Sequence, residues 1–169
     1  MISQIEPVEK KHQWLKSHVD VSFPTPESLL GRDLYIAREK QVQYVEITAT
    51  ETETLDESLL DDVYLVDFHR LTVMFAQLQS SFWSDKSDQN YVLEFFAQIA
   101  LSQDHNLYLG FKGGQATVCG MTTVSDRTLL ISDLISLKND QTVIQHFVRK
   151  LVACQDSSTT FNQLIVSCN

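Results

Sequence analysis

The sequence predicts a mixed α/β domain of the α+β kind, with a mostly antiparallel sheet flanked by helices and an N-terminal extension. Three observations lead there. Leu71, Met74, Phe75, Leu78 and Phe82 recur at three- and four-residue spacing and draw one apolar helical stripe, and Val92, Phe95, Phe96, Ile99 and Ala100 draw a second. LYLGFK and QATVCGMTTV are β-rich runs joined by Gly113–Gly114, and paired glycines accept the positive φ that a tight hairpin turn needs. A further helical stripe, Val143, Ile144, Phe147, Val148, Leu151 and Val152, leads through QDSSTT to the strand-like FNQLIVS.

Each element can be placed in order. All three prolines, Pro7, Pro24 and Pro26, fall in the first 26 residues, which argues for an extended opening with a short helix over Lys11–His18. After Gly31, two short strands are expected at Leu34–Arg38 and Gln43–Thr48, joined by a turn at Glu39–Gln41. VYLVDF reads as a strand leading into the first stripe. Asp88 is the expected N-cap of the second helix, which ends at His105–Asn106. Residues 110 to 137 then form a three-stranded meander turning at Gly113–Gly114 and Ser125–Arg127, and Asn139 or Asp140 caps the last helix. The order from residue 63 is β-α-α-β-β-β-α-β.

The chain has 169 residues, 43% of them hydrophobic, enough for one compact domain. Its net charge is −9, concentrated in residues 1–62, where 13 acids face 6 bases. Residues Glu46–Asp62 alone carry seven acids and no base. The expected organisation is an acidic extension, residues 1–62, packing on a core of residues 63–169. An acidic chain disfavours phosphate backbones and anionic membranes, so neither nucleic acid nor membrane is an expected partner, whereas a small molecule or a basic peptide amine is. The acidic run is a solvated loop or the dock for such a partner. No apolar run reaches bilayer length and no apolar stretch follows the N-terminal charges, so the expected location is cytoplasmic. Cys119, Cys154 and Cys168 are odd in number and distant in sequence, as suits reduced thiols, and the five histidines show no zinc-ligand spacing, so no metal is expected.

From residue 63 onward the element order, LYLGFKGGQATVCGMTTV with Gly120 in its second strand, ISDLISL, and FNQLIVSCN ending in Asn169 together resemble the GNAT superfamily of acyl-CoA-dependent N-acyltransferases. The resemblance implies a GNAT-like fold, and acetyl-CoA or another acyl-CoA as cofactor. Its pantetheine would pair with Leu134, Ile135 and Ser136, and its phosphates would sit on Gln141, Thr142 and Val143 at a helix start. An acceptor amine would attack the thioester, the oxyanion being held by a backbone amide of the ISDLISL strand. In that family the phosphate loop reads Gln/Arg-x-x-Gly-x-Gly/Ala, since helix-terminal N–H groups attract anions and glycine permits close approach. Here Gln141 matches, but Ile144 and His146 stand where the glycines would be, and Asp140 adds a negative charge. The family's last helix and hairpin have no counterpart after Asn169, so Leu34–Thr48 is expected to pack on the C-terminal sheet or complete it.

Two functions follow from these residues: a divergent N-acyltransferase, or a catalytically inactive GNAT-like interaction or assembly module. Asp133 is the catalytic candidate, as a general base or its orienting partner, against the alternative that it occupies the solvent side of its strand. His146 reads as a satisfied or solvent-facing histidine and Cys119 as a buried free thiol. Asp67 and His69 lack a partnering serine motif, and Trp83, at a helix end, is core or the wall of a pocket.

Overall fold

The computed structural model describes residues 5–48, 56–156, 158 and 160–169. Residues 49–55, in the middle of the acidic run, and two positions of the QDSSTT run lie outside the described residues.

The chain opens with two helices, α1 (Glu6–Ser17) and α2 (Pro26–Glu39). This corrects two expectations: the opening is helical from Glu6, and Leu34–Arg38 is the end of a helix. Pro7 and Pro26 lie in the first turn of their helices, where the missing N–H would have had no partner anyway, so they start helices here instead of excluding them. Thr25 completes the second start, its hydroxyl accepting from the Ser28 amide at 3.2 Å. What read as an extended LYIAR is the turn that carries Tyr35 and Arg38 inward.

Strands β1 (Gln43–Ile47) and β2 (Asp62–Leu65) follow, then α3 (His69–Ser80) and α4 (Lys86–Ala97). The N-cap of α4 is Asp85, whose side chain accepts from the Asp88 amide at 3.0 Å; Asp88 is thus the residue capped, not the cap. The meander is β3 (His105–Lys112), β4 (Gln115–Ser125) and β5 (Thr128–Ser136), with tight turns at Gly113–Gly114 and Asp126–Arg127, all four at positive φ. A single tight helical turn, Leu137–Asn139, leads into α5 (Gln141–Ala153) and then β6 (Gln163–Cys168).

The six strands form one sheet in the order β1-β6-β5-β4-β3-β2, antiparallel throughout except for the parallel pair β5 and β6. The mixed, mostly antiparallel α+β class is therefore observed. So is the use of N-terminal chain to extend the sheet, since Gln43–Ile47 pairs with β6 from Cys168 to Leu164. Alternation along the strands sorts the core onto two faces. Leu107, Leu109, Cys119, Met121 and Ile135 meet the aromatic layer of Tyr35, Phe75, Phe95 and Phe96, and beside them Val8 and Tyr44 cover Leu130 and Ile165. Tyr108, Val118, Leu129, Ile131, Leu134, Leu164 and Val166 meet Ile144, Phe147, Val148 and Leu151 of α5. Among the described residues no helix is long and apolar enough to cross a membrane.

Gly31 marks the closest helix crossing: a methyl group there would overlap the backbone carbonyl of Tyr91 in α4. Because backbone cannot swing aside, Gly31→Ala is expected to cost about 3 kcal/mol in chemical denaturation, at the upper end of overpacking penalties, although alanine favours helix. His105 supplies a pH dependence. Its ring stacks on Trp14 at 4.5 Å and bonds Thr123 Oγ1 at 3.0 Å, and burial lowers its pKa from 6.5 to about 4. The unfolded chain takes up the proton first on acidification, so this contribution is complete above pH 6.5 and is lost as pH falls toward about 4. A stability profile across that window should slope downward with acid, and His105→Phe should flatten it.

Candidate functional site

The site is built around an irregularity in β5. Met121 pairs with Ser132 and Cys119 with Ile135, so Gly120 alone faces the two residues Asp133 and Leu134. Asp133 takes φ of +56° to make this bulge, a conformation in which aspartate is among the more tolerant residues. A side chain at Gly120 would crowd the residues opposite, its Cβ meeting Leu134 Cδ2 at 2.8 Å and Phe147 Cε1 at 3.0 Å. Asp133 points to the α1 side and Leu134 to the α5 side.

Asp133 is not on a solvent face; it is buried and hydrogen-bonded. Its Oδ2 accepts from Lys11 Nζ at 3.0 Å and Ser132 Oγ at 2.7 Å, and its Oδ1 from Tyr35 OH at 2.8 Å. Lys11, fully buried, donates also to Glu39 Oε2 at 3.1 Å and Tyr44 OH at 2.8 Å. Glu39 Oε2 further meets His12 Nε2 at 2.6 Å and the Tyr44 hydroxyl. Burial opposes ionisation of Glu39, but the His12 bond and the Lys11 charge outweigh it and hold its pKa at about 2. Burial pushes the Tyr35 and Tyr44 hydroxyls well above their ordinary range. This closed set joins α1, α2, β1 and β5, and Asp133 within it has no open side from which to take a substrate proton.

Beyond the bulge, β5 and β6 separate. Their parallel register runs from Thr128 with Gln163 to Ile131 with Val166 and stops there, while β6 stays paired with β1. Asn169 bridges the gap, its Nδ2 donating to the Leu134 carbonyl at 3.1 Å. On the α5 face a cleft of about 730 Å³ opens beside this separation, between α5 and the β6–β1 edge. Leu134, Ile144, Val148, Leu164 and Val166 line it with Gln141, Gln145 and Asn169, and Val45 and Ile47, 44% and 39% exposed, extend the apolar surface onto β1.

The sequence-predicted residues divide between these places. Leu134 and Gln141 line the cleft. Ile135 turns to the opposite core, and Ser136 is occupied locally, its hydroxyl accepting from the Asp140 amide at 2.7 Å. The amides of Thr142 and Val143 are taken by Asp140, whose Oδ1 accepts from them at 3.0 and 3.2 Å as the N-cap of α5. Cys119 is buried and free, and burial raises its thiol far above the reactive range. His146 is buried, and among the described residues neither ring nitrogen has a hydrogen-bond partner, so it is not the satisfied or solvent-facing histidine expected; burial lowers its pKa. No group of three or more metal-ligating side chains occurs among the described residues.

Lys11, Tyr35, Glu39 and Tyr44 were not singled out by the sequence reading. A signal existed for Lys11, since Val8, Lys11 and Leu15 share one helical face and all three are buried.

No protein-family model and no curated protein matches this chain. Among solved structures it is similar to one described as a functionally unknown conserved protein from Staphylococcus epidermidis ATCC 12228, with a TM-score of 0.52 and 15% sequence identity over 80% of this chain. The match takes in 55% of that longer chain, and at this identity the likeness concerns fold alone.

Lys11→Met should cost about 3–5 kcal/mol, because it leaves two carboxylates buried without their cation. Adding Glu39→Gln and Asp133→Asn should recover a measurable part of that loss in the same urea titration, whereas three independent contacts would give losses that add.

Proposed function

We propose that this chain is a GNAT-like domain that no longer transfers acyl groups and acts as a binding module through the cleft between α5 and the β6–β1 edge. The observation that carries the reading is the start of α5. A helix N-terminus that receives phosphate must keep its N–H groups free, and here the Asp140 carboxylate already accepts from Thr142 and Val143. A diphosphate would have to displace a covalently tethered anion and then sit beside its charge. The second strand of support is Asp133, engaged by Lys11, Ser132 and Tyr35 and therefore without a role as a free base.

The divergent acyltransferase is the second reading. It is favoured by the position of the cleft, which meets Leu134 and Gln141 beside the separated strands, where the resemblance would lay an acyl-CoA.

Calorimetric titration separates the two. Acetyl-CoA should give no saturable heat with the wild-type chain up to millimolar concentration, and Asp140→Ala, which uncovers the amides at a cost of about 1 kcal/mol in helix capping, should bind it measurably. Micromolar binding by the wild type would favour the enzyme.

A further inference from the structure

His146, on α5, is only 3% exposed, yet among the described residues neither of its ring nitrogens has a hydrogen-bond partner. A buried imidazole normally engages at least one of them. The helical repeat shows what covers it. Lys150 lies one turn further along the same face of α5, and its Nζ donates to Glu57 Oε2 at 2.7 Å, so residues 56–60 pass over this face. Leu60, buried, enters the same apolar cluster as Ile144, Phe147 and Val148.

This short flap is held unequally at its two ends. At one, the Asp61 amide donates to the Phe111 carbonyl at 2.8 Å, and the Asp61 carboxylate accepts from the Gly113 amide at 2.7 Å and Lys112 Nζ at 3.1 Å. At the other stands the Glu57–Lys150 pair, whose carboxylate is 68% exposed, and such surface pairs contribute little.

Burial opposes protonation of the His146 ring, as do Lys150 and Arg149 on its own helix, while Glu57 and Asp56 on the flap favour it. The remaining ionisable groups around α5 lie elsewhere. Asp133 of β5 and Cys119 of β4 point to the opposite face, Asp62 of β2 stands opposite Phe111 on that same far face, and Tyr108 of β3 sits by Cys154 and Gln155 at the end of α5. Neutral, the ring fills its place as an apolar group does. Protonated, it carries two N–H donors with no acceptor there, whereas water satisfies both once the flap lifts.

We propose that His146 is an acid-sensing latch: proton uptake by its ring releases residues 56–60 from α5, with Asp61 as the hinge. Burial lowers the pKa of the closed ring from 6.5, so the open form takes the proton first; the latch is closed above that pH and opens as pH falls below it. Gln145 and Arg149 of the same helix line the cleft, so the latch lies beside it, but it does not depend on what the cleft binds.

Thiol labelling of the full chain carrying Leu60→Cys, read at each cysteine by mass spectrometry, tests it. Cys154 and Cys168 are exposed and calibrate the reagent at each pH, and buried Cys119 reports global unfolding. Relative to the exposed thiols, labelling at position 60 should rise about three- to tenfold between about pH 7.5 and 5.5, tenfold being the limit for one proton here, with Cys119 protected throughout. Adding His146→Leu should remove the rise. Adding His105→Phe should leave it, which separates the latch from the acid response of His105. No rise at position 60, an equal rise at Cys119, or a rise that survives His146→Leu would overturn the proposal. Should His146→Leu fail to fold, NMR titration of the wild-type chain decides: the His146 ring and Leu60 methyl signals should change with a common midpoint below pH 6.5. Protonation of the ring with Leu60 still in place would equally overturn it.

Discussion

The Lys11 ammonium is the constraint on which the assembly of this chain depends. It stands fully buried where two helices, an edge strand and the middle of the sheet meet, bonded to Asp133, Glu39 and Tyr44. Buried ion pairs add little net stability compared with well-packed apolar residues, but a broken one is severely costly. That asymmetry makes the network a device for specifying arrangement. Any packing of α1 and α2 that failed to bring Lys11 to Asp133 would leave a charge stranded in the core, so the N-terminal third has one acceptable seat on the sheet. Once α2 is seated, the short connection from Glu39 to Gln43 delivers β1 to the free edge of β6.

The bulge that presents Asp133 to Lys11 also shapes the other face. By inserting one extra residue opposite Gly120, it turns Asp133 toward α1 and Leu134 toward α5. The pairing of β5 with β6 ends at Ile131, two residues before Asp133. The separated strands leave carbonyls to satisfy, and Asn169 meets one of them, at Leu134, while holding Arg38. The charge network and the apolar cleft are consequences of one backbone irregularity, read from opposite sides.

Periodicity made the meander, the stripes of α3, α4 and α5, and the final strand legible, because those elements bury one regular face. It failed at the N-terminus for a specific reason. The inward residues of α1 and α2 include Lys11, Arg38 and Glu39, which a hydrophobic pattern counts as surface, and Pro7 and Pro26 read as breakers when they are starters. The extra residue at Asp133 likewise defeats simple alternation: the strand pattern allowed a solvent-facing side chain, whereas the bulge turns it into the core. Pairing of a carboxylate with a lysine 122 residues away is not a local property of any segment. Of the residues expected to bind a cofactor, only Leu134 and Gln141 line the cleft, whose outer wall at Val45 and Ile47 depends on which strand lies beside β6.

One theme connects the two ends of the site. At the start of α5, where free N–H groups would attract an anion, the chain provides its own in Asp140. At the bulge, where a carboxylate could have served as a base, the chain provides its own cation in Lys11. In both places a tethered partner occupies a group that would otherwise be open to an exchangeable one, which fixes the local arrangement. Arg38 departs from this pattern. Its surroundings give it two aromatic faces and one amide oxygen, and no anion among the described residues pairs with it.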